Sequence, residues 1–301
     1  MSTSYHIPVM LNECIDGLNI QPNGIYVDVT FGGGGHSKKI LEQLDENGKL
    51  FAFDVDDDAK RNTIDDKRFT LIQANYRHLK KFLKVYGVTK VDGILADFGI
   101  SSYQIDEPSR GFATRFDAEL DMRMNRKEGV SAKNVVNEYT AEQLQQILGF
   151  YGEVINAKTL AQKIVEQRTI HPIETTKDLV DVCKTVAKGI DAKYYAQVFQ
   201  AIRIEVNDEL NAIKDFLQQS MEILNKNGRL VIMSYHSLED RLTKNFMKHG
   251  NFENEPVKDL YGNFEHHLKV ITKKPIEAGV AELKSNPRSR SAKLRIAEKI
   301  D

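Results

Sequence analysis

The chain has 301 residues, 41% apolar and 28% charged, with 42 Lys and Arg against 43 Asp and Glu for a net charge of −1. That composition excludes wholesale disorder, carries no whole-chain nucleic-acid signature, and with only Cys14 and Cys183 excludes a disulfide framework or a cysteine zinc site. No apolar run reaches the roughly 18 residues of a membrane helix, and Met1–Met10 lacks the basic-then-apolar order of a signal peptide. The expectation is a soluble, reduced, cytoplasmic protein with no membrane partner.

In chain order, Ile25-Tyr26-Val27-Asp28-Val29 after Asn23-Gly24 is the first strand, and Leu50–Phe53 after Asn47-Gly48 the second. Phe69–Ile72 and Val91–Ala96 are the third and fourth. Ile40, Leu41 and Leu44 give a helical face between the first pair, and Leu79, Phe82, Leu83 and Tyr86 another between the third and fourth. Short apolar strands alternating with helices predict a doubly wound α/β sheet, mostly parallel.

From about Ile105 to Ala196 the pattern turns helical. Thr140-x-x-Gln143 is a capping box ahead of Leu144, Ile147 and Leu148. Leu160, Ala161, Ile164 and Val165 form a second face, and Thr175-x-x-Asp178 starts a third with Leu179, Val182, Cys183 and Val186. Val198 to Leu224 reads as one long helix by its 3–4 spacing, feeding a fifth strand at Leu230–Met233. Leu268–Thr272 and Ala292–Ala297 are two further strands, expected to pair antiparallel at a sheet edge. The domains are therefore 1–104 with 197–301, interrupted by an inserted helical domain, 105–196.

The sharpest local signal is Asp28-Val29-Thr30-Phe31-Gly32-Gly33-Gly34-Gly35-His36-Ser37, between the first strand and its helix. Glycines there let a ligand lie against bare backbone. Asp54 ends the second strand, where a carboxylate suits a ribose diol, and Asp97 ends the fourth, at the edge where open α/β sheets bind ligands. The third glycine of the dinucleotide fingerprint is missing, which disfavours a nicotinamide or flavin oxidoreductase. No G-x-x-x-x-G-K-[ST] occurs. A glycine loop of this form with an acid on the second strand leans towards S-adenosylmethionine.

At these residues the chain resembles the MraW (RsmH) family of methyltransferases, which modify N4 of a cytidine in small-subunit (16S) ribosomal RNA. The likeness runs through His6-x-Pro8-Val9-Met10, the glycine loop, Val91–Ser102, Arg110-Gly111-Phe112, Leu120–Met124, Phe199–Leu210, His236–Arg241 and Asn286–Arg295. It implies a Rossmann-like class I methyltransferase domain of seven strands with an inserted substrate-recognition domain, and cofactor contacts at Gly34, Gly35, His36, Asp54, Tyr76, Asp97 and Gln104. It also implies a substrate cytidine in the decoding region, met within the assembled small subunit. The chain departs from the family pattern at Phe98, Tyr103, Ala113-Thr114 and Ala192–Val198, the last losing a basic residue.

Methyl transfer from a sulfonium needs no metal. A cytosine amino group is a weak nucleophile, so an acceptor for its protons and a near-attack geometry are the useful contributions. Asp97 suits that acceptor role or a contact to the cofactor, and the residues leave both open. His236 is the second catalytic candidate, set against a role in shaping its own loop. The segment 105–200 carries 13 basic and 14 acidic residues, whereas Lys273–Arg295 carries 7 and 2. Phosphate contacts are therefore expected from Arg288, Arg290, Lys293 and Arg295, with Arg123, Arg203 and Arg241 as further candidates. A different macromolecular acceptor and a non-catalytic assembly factor on the same fold are the alternatives, and monomer and homodimer both stay open.

Overall fold

The computed structural model describes residues 8–188, 190–257, 261 and 267–301. The family-like opening at His6 lies outside them. The chain divides into two compact units, residues up to Gly99 with Leu210–Asp301, and Ile100–Glu209.

The first unit is built on a seven-stranded sheet in the order β3-β2-β1-β4-β5-β7-β6. Its strands are β1 (Ile25–Asp28), β2 (Lys49–Asp54), β3 (Phe69–Gln73), β4 (Val91–Asp97), β5 (Leu224–Ser234), β6 (Leu268–Val270) and β7 (Lys293–Lys299). The first five are parallel, while β7 runs antiparallel to both β5 and β6. The two C-terminal strands pair as expected, but β7 lies inside the sheet and only β6 forms the edge.

Alternate strand residues enter two different cores, because side chains of a strand point to opposite faces. Val27, Phe51, Phe53, Ile94, Ala96 and Ile232 join one cluster, packed by helices α3 (Leu79–Val85), α10 (Glu209–Ile223) and α11 (Ser237–His249). Tyr26, Leu50, Ala52, Leu95, Val231 and Met233 join the other, packed by α1 (Leu11–Leu18) and α2 (Gly35–Leu41). Burial on both faces is why these strands read as continuous apolar runs. Cys14 is part of the second cluster and is a buried free thiol.

The chain leaves β1 for β2 on one side and later returns to β4 on the other. The carboxyl ends of β1 and β4 therefore flank the point where strand order reverses, the crevice that such sheets use for ligands.

The second unit holds α4 (Ser102–Asp106), α5 (Ala132–Glu138), α6 (Ala141–Phe150), α7 (Ala157–Ile170), α8 (Thr176–Lys184) and α9 (Asp191–Asn207). Among the described residues it contains no strand, only one isolated bridge between Glu119 and Thr175. Ser101, Ser131, Thr140 and Thr175 each close a reciprocal capping box on the helix that follows, satisfying two otherwise orphaned backbone donors per helix. Leu144, Leu148, Leu160, Ile164, Leu179, Val198 and Ile202 form its core. Each such side chain contributes roughly 1.5–3 kcal/mol on burial. The last helix α12 (Val280–Ser285) precedes β7 in the first unit.

Three expectations need correction. The stripe from Val198 to Leu224 is not one helix. Asp208 adopts the left-handed conformation (φ 48°) and separates α9 from α10, a conformation Asp tolerates better than most residues. The neighbouring Asn207 side chain donates to the Met122 carbonyl and accepts from Met124 N–H, which holds the break. Because Val198, Phe199, Ala201 and Ile202 pack into the helical core, the division falls at 209/210 rather than at 196/197. The 3–4 periodicity passes through the break because both helices present an apolar face. β5 also begins earlier than expected, at Leu224.

Candidate active site

Three aspartates terminate neighbouring parallel strands: Asp28 on β1, Asp54 on β2 and Asp97 on β4. Their environments differ.

Asp28 is internal. Its Oδ1 accepts from Thr30 N–H at 3.1 Å and its Oδ2 from the Ser37 hydroxyl at 2.7 Å, tying the end of β1 to the first turn of α2. Burial pushes its carboxyl upward, partly offset by the nearby His36 and these hydrogen bonds.

Asp54 secures the glycine loop. Its Oδ2 accepts from Gly32 N–H at 2.7 Å and its Oδ1 from Asp56 N–H at 2.8 Å. Burial raises it to about 6 against the pull of those two backbone donors, with the charges of Asp56 and Asp28 adding to the rise. Each oxygen still keeps a second lone pair.

The loop between β1 and α2 is held from both sides. Phe31 N–H donates to the Phe53 carbonyl at 2.9 Å, and Gly34 N–H donates to the Phe31 carbonyl at 2.7 Å. Gly34 is left-handed (φ +74°), and a Cβ there would meet the Phe31 ring at 2.9 Å. A Cβ on Gly35 would meet Pro8 at 2.1 Å. Gly33 differs, since a Cβ there would find no atom of the described residues within 4 Å. The loop is thus clamped at two glycines and bare at a third.

Asp97 is the least satisfied. Its backbone N–H donates to Thr30 Oγ1 at 2.7 Å. Its Oδ1 is buried with no hydrogen-bond partner among the described residues. Burial is the main cause that lifts it to about 7, and Asp28 and Glu239 add to the lift while Tyr235 opposes it. A buried polar atom without a partner is uncommon, and such atoms are characteristic of functional sites.

The remaining cofactor candidates fall in different places. His36 is buried at the start of α2, its Nε2 3.2 Å from the Val9 carbonyl, so its ring braces the N-terminal segment. Tyr76, just after β3, joins an aromatic cluster with Phe98 (centroids 6.0 Å apart) and Phe216 (5.6 Å, edge-on). Phe98, one of the departures from the family pattern, therefore fills a packed position. Gln104 belongs to the helical unit, where its Oε1 accepts from Ser101 N–H and its own N–H donates to Ser101 Oγ.

His236 is the N-cap of α11. Glu239 N–H reaches its Nδ1 at 3.5 Å, and Glu239 Oε2 accepts from the backbone N–H groups of Tyr235 and His236 at 2.8 and 3.3 Å. The ring helps build the turn after β5. The His236-x-x-Glu239 spacing is a capping-box signature and was available in the sequence.

The basic candidates divide in the same way. Arg203 forms a two-point ion pair with Glu209 at 2.7 and 3.0 Å. Arg295 forms another with Asp240 at 2.7 and 3.1 Å, and Lys293, two residues earlier and on the same face of β7, lies 3.7 Å from that carboxylate. Arg123 is held by Asp121 at 2.6 Å, which also meets Arg126 at 3.2 Å. Arg241 and Arg290 are exposed, and Arg288 is partly so. In the departing segment Ala192–Val198, Tyr194 is a core residue whose hydroxyl donates to Asn156 Oδ1 at 2.9 Å. Thr30, which holds the Asp97 backbone, and Tyr235 and Glu239, which act on its carboxyl, are neighbours that sequence reasoning missed. Thr30 and Glu239 lay inside recognised motifs, but nothing in their spacing pointed to Asp97.

The model of the MraW methylase family matches residues 3–300. The chain belongs to the MraW methylase family. Proteins named ribosomal RNA small subunit methyltransferase H are similar to it: one from Flavobacterium johnsoniae is 56% identical over 297 residues, covering 98% of both chains. Another, from Cytophaga hutchinsonii, is 55% identical over 98% of this chain and 99% of its own. The solved structure of an rRNA methylase from Streptococcus thermophilus is similar at TM-score 0.41 and 11% identity, over 97% of this chain and 94% of that one, too distant to bear on the site.

Proposed function

We propose that this chain transfers a methyl group from S-adenosylmethionine to N4 of a cytidine in small-subunit ribosomal RNA, in the decoding region and within the assembled subunit. The single observation that carries the reading on the chain itself is Asp97, a strand-end carboxylate whose Oδ1 is buried without a partner among the described residues. The names of the similar proteins supply the substrate class.

The donor set fits the cofactor. Gly33 offers bare backbone with open space beside it, Asp54 keeps two free lone pairs at the end of β2, and Asp97 is negative above about pH 7. S-adenosylmethionine, when bound, supplies a methyl group already activated on a sulfonium. Gly33 and its clamped neighbours would receive it, with Asp54 accepting from hydroxyl groups. Asp97 accepts a hydrogen bond from the incoming amine, concentrating the nitrogen lone pair toward the methyl group; as the N–C bond forms and the S–C bond breaks to leave neutral S-adenosylhomocysteine, the Asp97 carboxylate takes the proton that the cationic nitrogen sheds. No metal is required of these residues.

Arg241, Arg288, Arg290 and Lys293 are the proposed phosphate contacts. The target base leaves its stack to react, which is easiest in single-stranded or splayed RNA.

The test is methyl transfer from labelled S-adenosylmethionine to small subunits from a strain lacking this gene, with nucleoside mass spectrometry. N4-methylcytidine at one position is expected. Cofactor binding with no label in RNA would overturn the substrate assignment.

A further inference from the structure

The helical unit holds a cavity that the function proposed above leaves unused. On α6, Gln143, Gln146, Ile147 and Phe150 stand at i, i+3, i+4 and i+7, so they share one face of the helix. With Tyr139, Tyr151 and Glu205 they line a cavity of about 290 Å³. Ile147 belongs to the core of the unit, and both tyrosines pack against that core. Gln143 is fixed by the capping box that starts α6, its Oε1 accepting from Thr140 N–H at 2.8 Å. Phe150 is 60% exposed, and its ring meets that of Tyr151 edge-on with centroids 5.5 Å apart. The Tyr139 hydroxyl donates to Glu205 Oε1 at 2.8 Å, and no cationic group among the described residues pairs with that carboxylate.

We propose that this cavity is a docking site for a lysine or arginine side chain of a protein partner carried by the small subunit. Aromatic faces attract a cation through their negative quadrupole. The Glu205 carboxylate, held through Oε1 by Tyr139, supplies a charge-assisted acceptor for it. The volume lies below the roughly 300–1,000 Å³ of small-molecule sites, which suits one inserted side chain. The placement of the partner on the subunit rests on the function proposed above, whereas the preference for a cation rests on the cavity alone.

Charge complementarity decides between a cation and a nucleobase, which would stack on the same rings. Residues 134–157 carry α6 and both tyrosines. They include Glu138, Glu142 and Glu153 and no Lys or Arg. Glu205 and Asp208 add negative charge from α9 and its end, and Arg203 on that helix is engaged by Glu209 through two hydrogen bonds. The negative field reaches the phenols. Burial and then Glu205 push Tyr139 up to about 12, and burial followed by Glu205 and Asp208 raises Tyr151. An RNA strand would bring phosphates into this field with no Lys or Arg of residues 134–157 to meet them. A cationic side chain enters with the field.

The chain contains no tryptophan, so Phe150→Trp places a single fluorescent reporter at the cavity. Its emission is titrated with a hexaarginine peptide and with hexacytidylate. The reporter chain is compared with the same chain carrying Glu205→Gln or, as a charge-matched control on the other unit, Glu46→Gln at an exposed site. Glu205→Gln keeps an oxygen for the Tyr139 hydroxyl, and circular dichroism checks the fold. Hexaarginine should shift the emission, with affinity about tenfold weaker in Glu205→Gln and within about twofold in Glu46→Gln. Equal affinity in all three chains would overturn the proposal. So would a shift produced by hexacytidylate and not by hexaarginine, which would make the cavity a base pocket. With small subunits as substrate, Glu205→Gln should raise the KM for the subunit by a similar factor at unchanged kcat, and an unchanged KM would overturn the placement of the partner there. Absence of methyl transfer by the wild type would overturn the function proposed above while leaving the hexaarginine result to decide the cavity.

Discussion

The carboxyl edge of the sheet and the helical unit handle buried charge in opposite ways. In the helical unit, Arg203 and Glu209 satisfy each other through two hydrogen bonds, Asp121 meets both Arg123 and Arg126, and Arg110 donates to the carbonyls of Arg123 and Met124. At the sheet edge, three aspartates end adjacent strands, all three carboxyls are pushed upward by burial, and Asp97 keeps one oxygen unpartnered among the described residues. One region uses charge to hold itself together. The other keeps carboxyls that burial disfavours in their charged form, the arrangement that the proposed role of Asp97 requires.

That contrast can be broken at several points. The largest effect is expected in the helical unit. Glu209→Ala removes the two-point carboxylate partner of the Arg203 guanidinium, whose side chain is only 13% exposed, and should cost about 3–5 kcal/mol of stability. Chemical denaturation measures it, and a loss under 1 kcal/mol would mean that the pair is not a support.

The glycine loop offers an intermediate effect in a matched pair. Gly35→Ala forces a Cβ against Pro8 and should destabilise by about 1–3 kcal/mol. Gly33→Ala places a methyl group in open space, so the melting temperature should hold while S-adenosylhomocysteine affinity falls about tenfold. Equal affinity in Gly33→Ala would remove Gly33 from the cofactor cradle.

The smallest effect is at the surface. Arg290→Gln should leave folding unchanged and reduce the salt slope of RNA binding by about one, whereas the paired Arg295 should act mainly through stability. Identical slopes for Arg290→Gln and wild type would exclude that phosphate contact.

The strands and capping boxes were legible because their signals are local. Apolar runs after Asn-Gly mark β1 and β2, and the Thr140 and Thr175 boxes form as their spacing predicts. The break at Asp208 was hidden because helical periodicity survives a one-residue left-handed kink, and its support comes from Asn207 reaching residues more than eighty positions away. Among site residues, motif and strand-end position identified Asp54 and Asp97. Their partners were not visible in the same way. Asp54 is 22 residues from Gly32, and Thr30, whose hydroxyl holds the Asp97 N–H, is 67 residues from Asp97. Whether a given arginine faces solvent or a carboxylate is likewise a property of tertiary pairing, as Arg295 with Asp240 illustrates.

The most direct test of the contrast is Asp97→Asn, measured for turnover and for melting temperature at pH 8 and pH 5. Because Asp97 is raised to about 7 in the fold from an ordinary 3.8, the folded state binds the extra proton between those values. Its contribution to stability is therefore greatest below pH 4 and is lost as pH rises through 7. The neutral variant should lose turnover by about 10²-fold or more yet melt about 2–4 °C higher than wild type at pH 8, with the gap narrowing at pH 5. A variant that keeps its turnover, or that melts lower than wild type at pH 8, would contradict the account of Asp97 as a carboxylate held at a cost for methyl transfer.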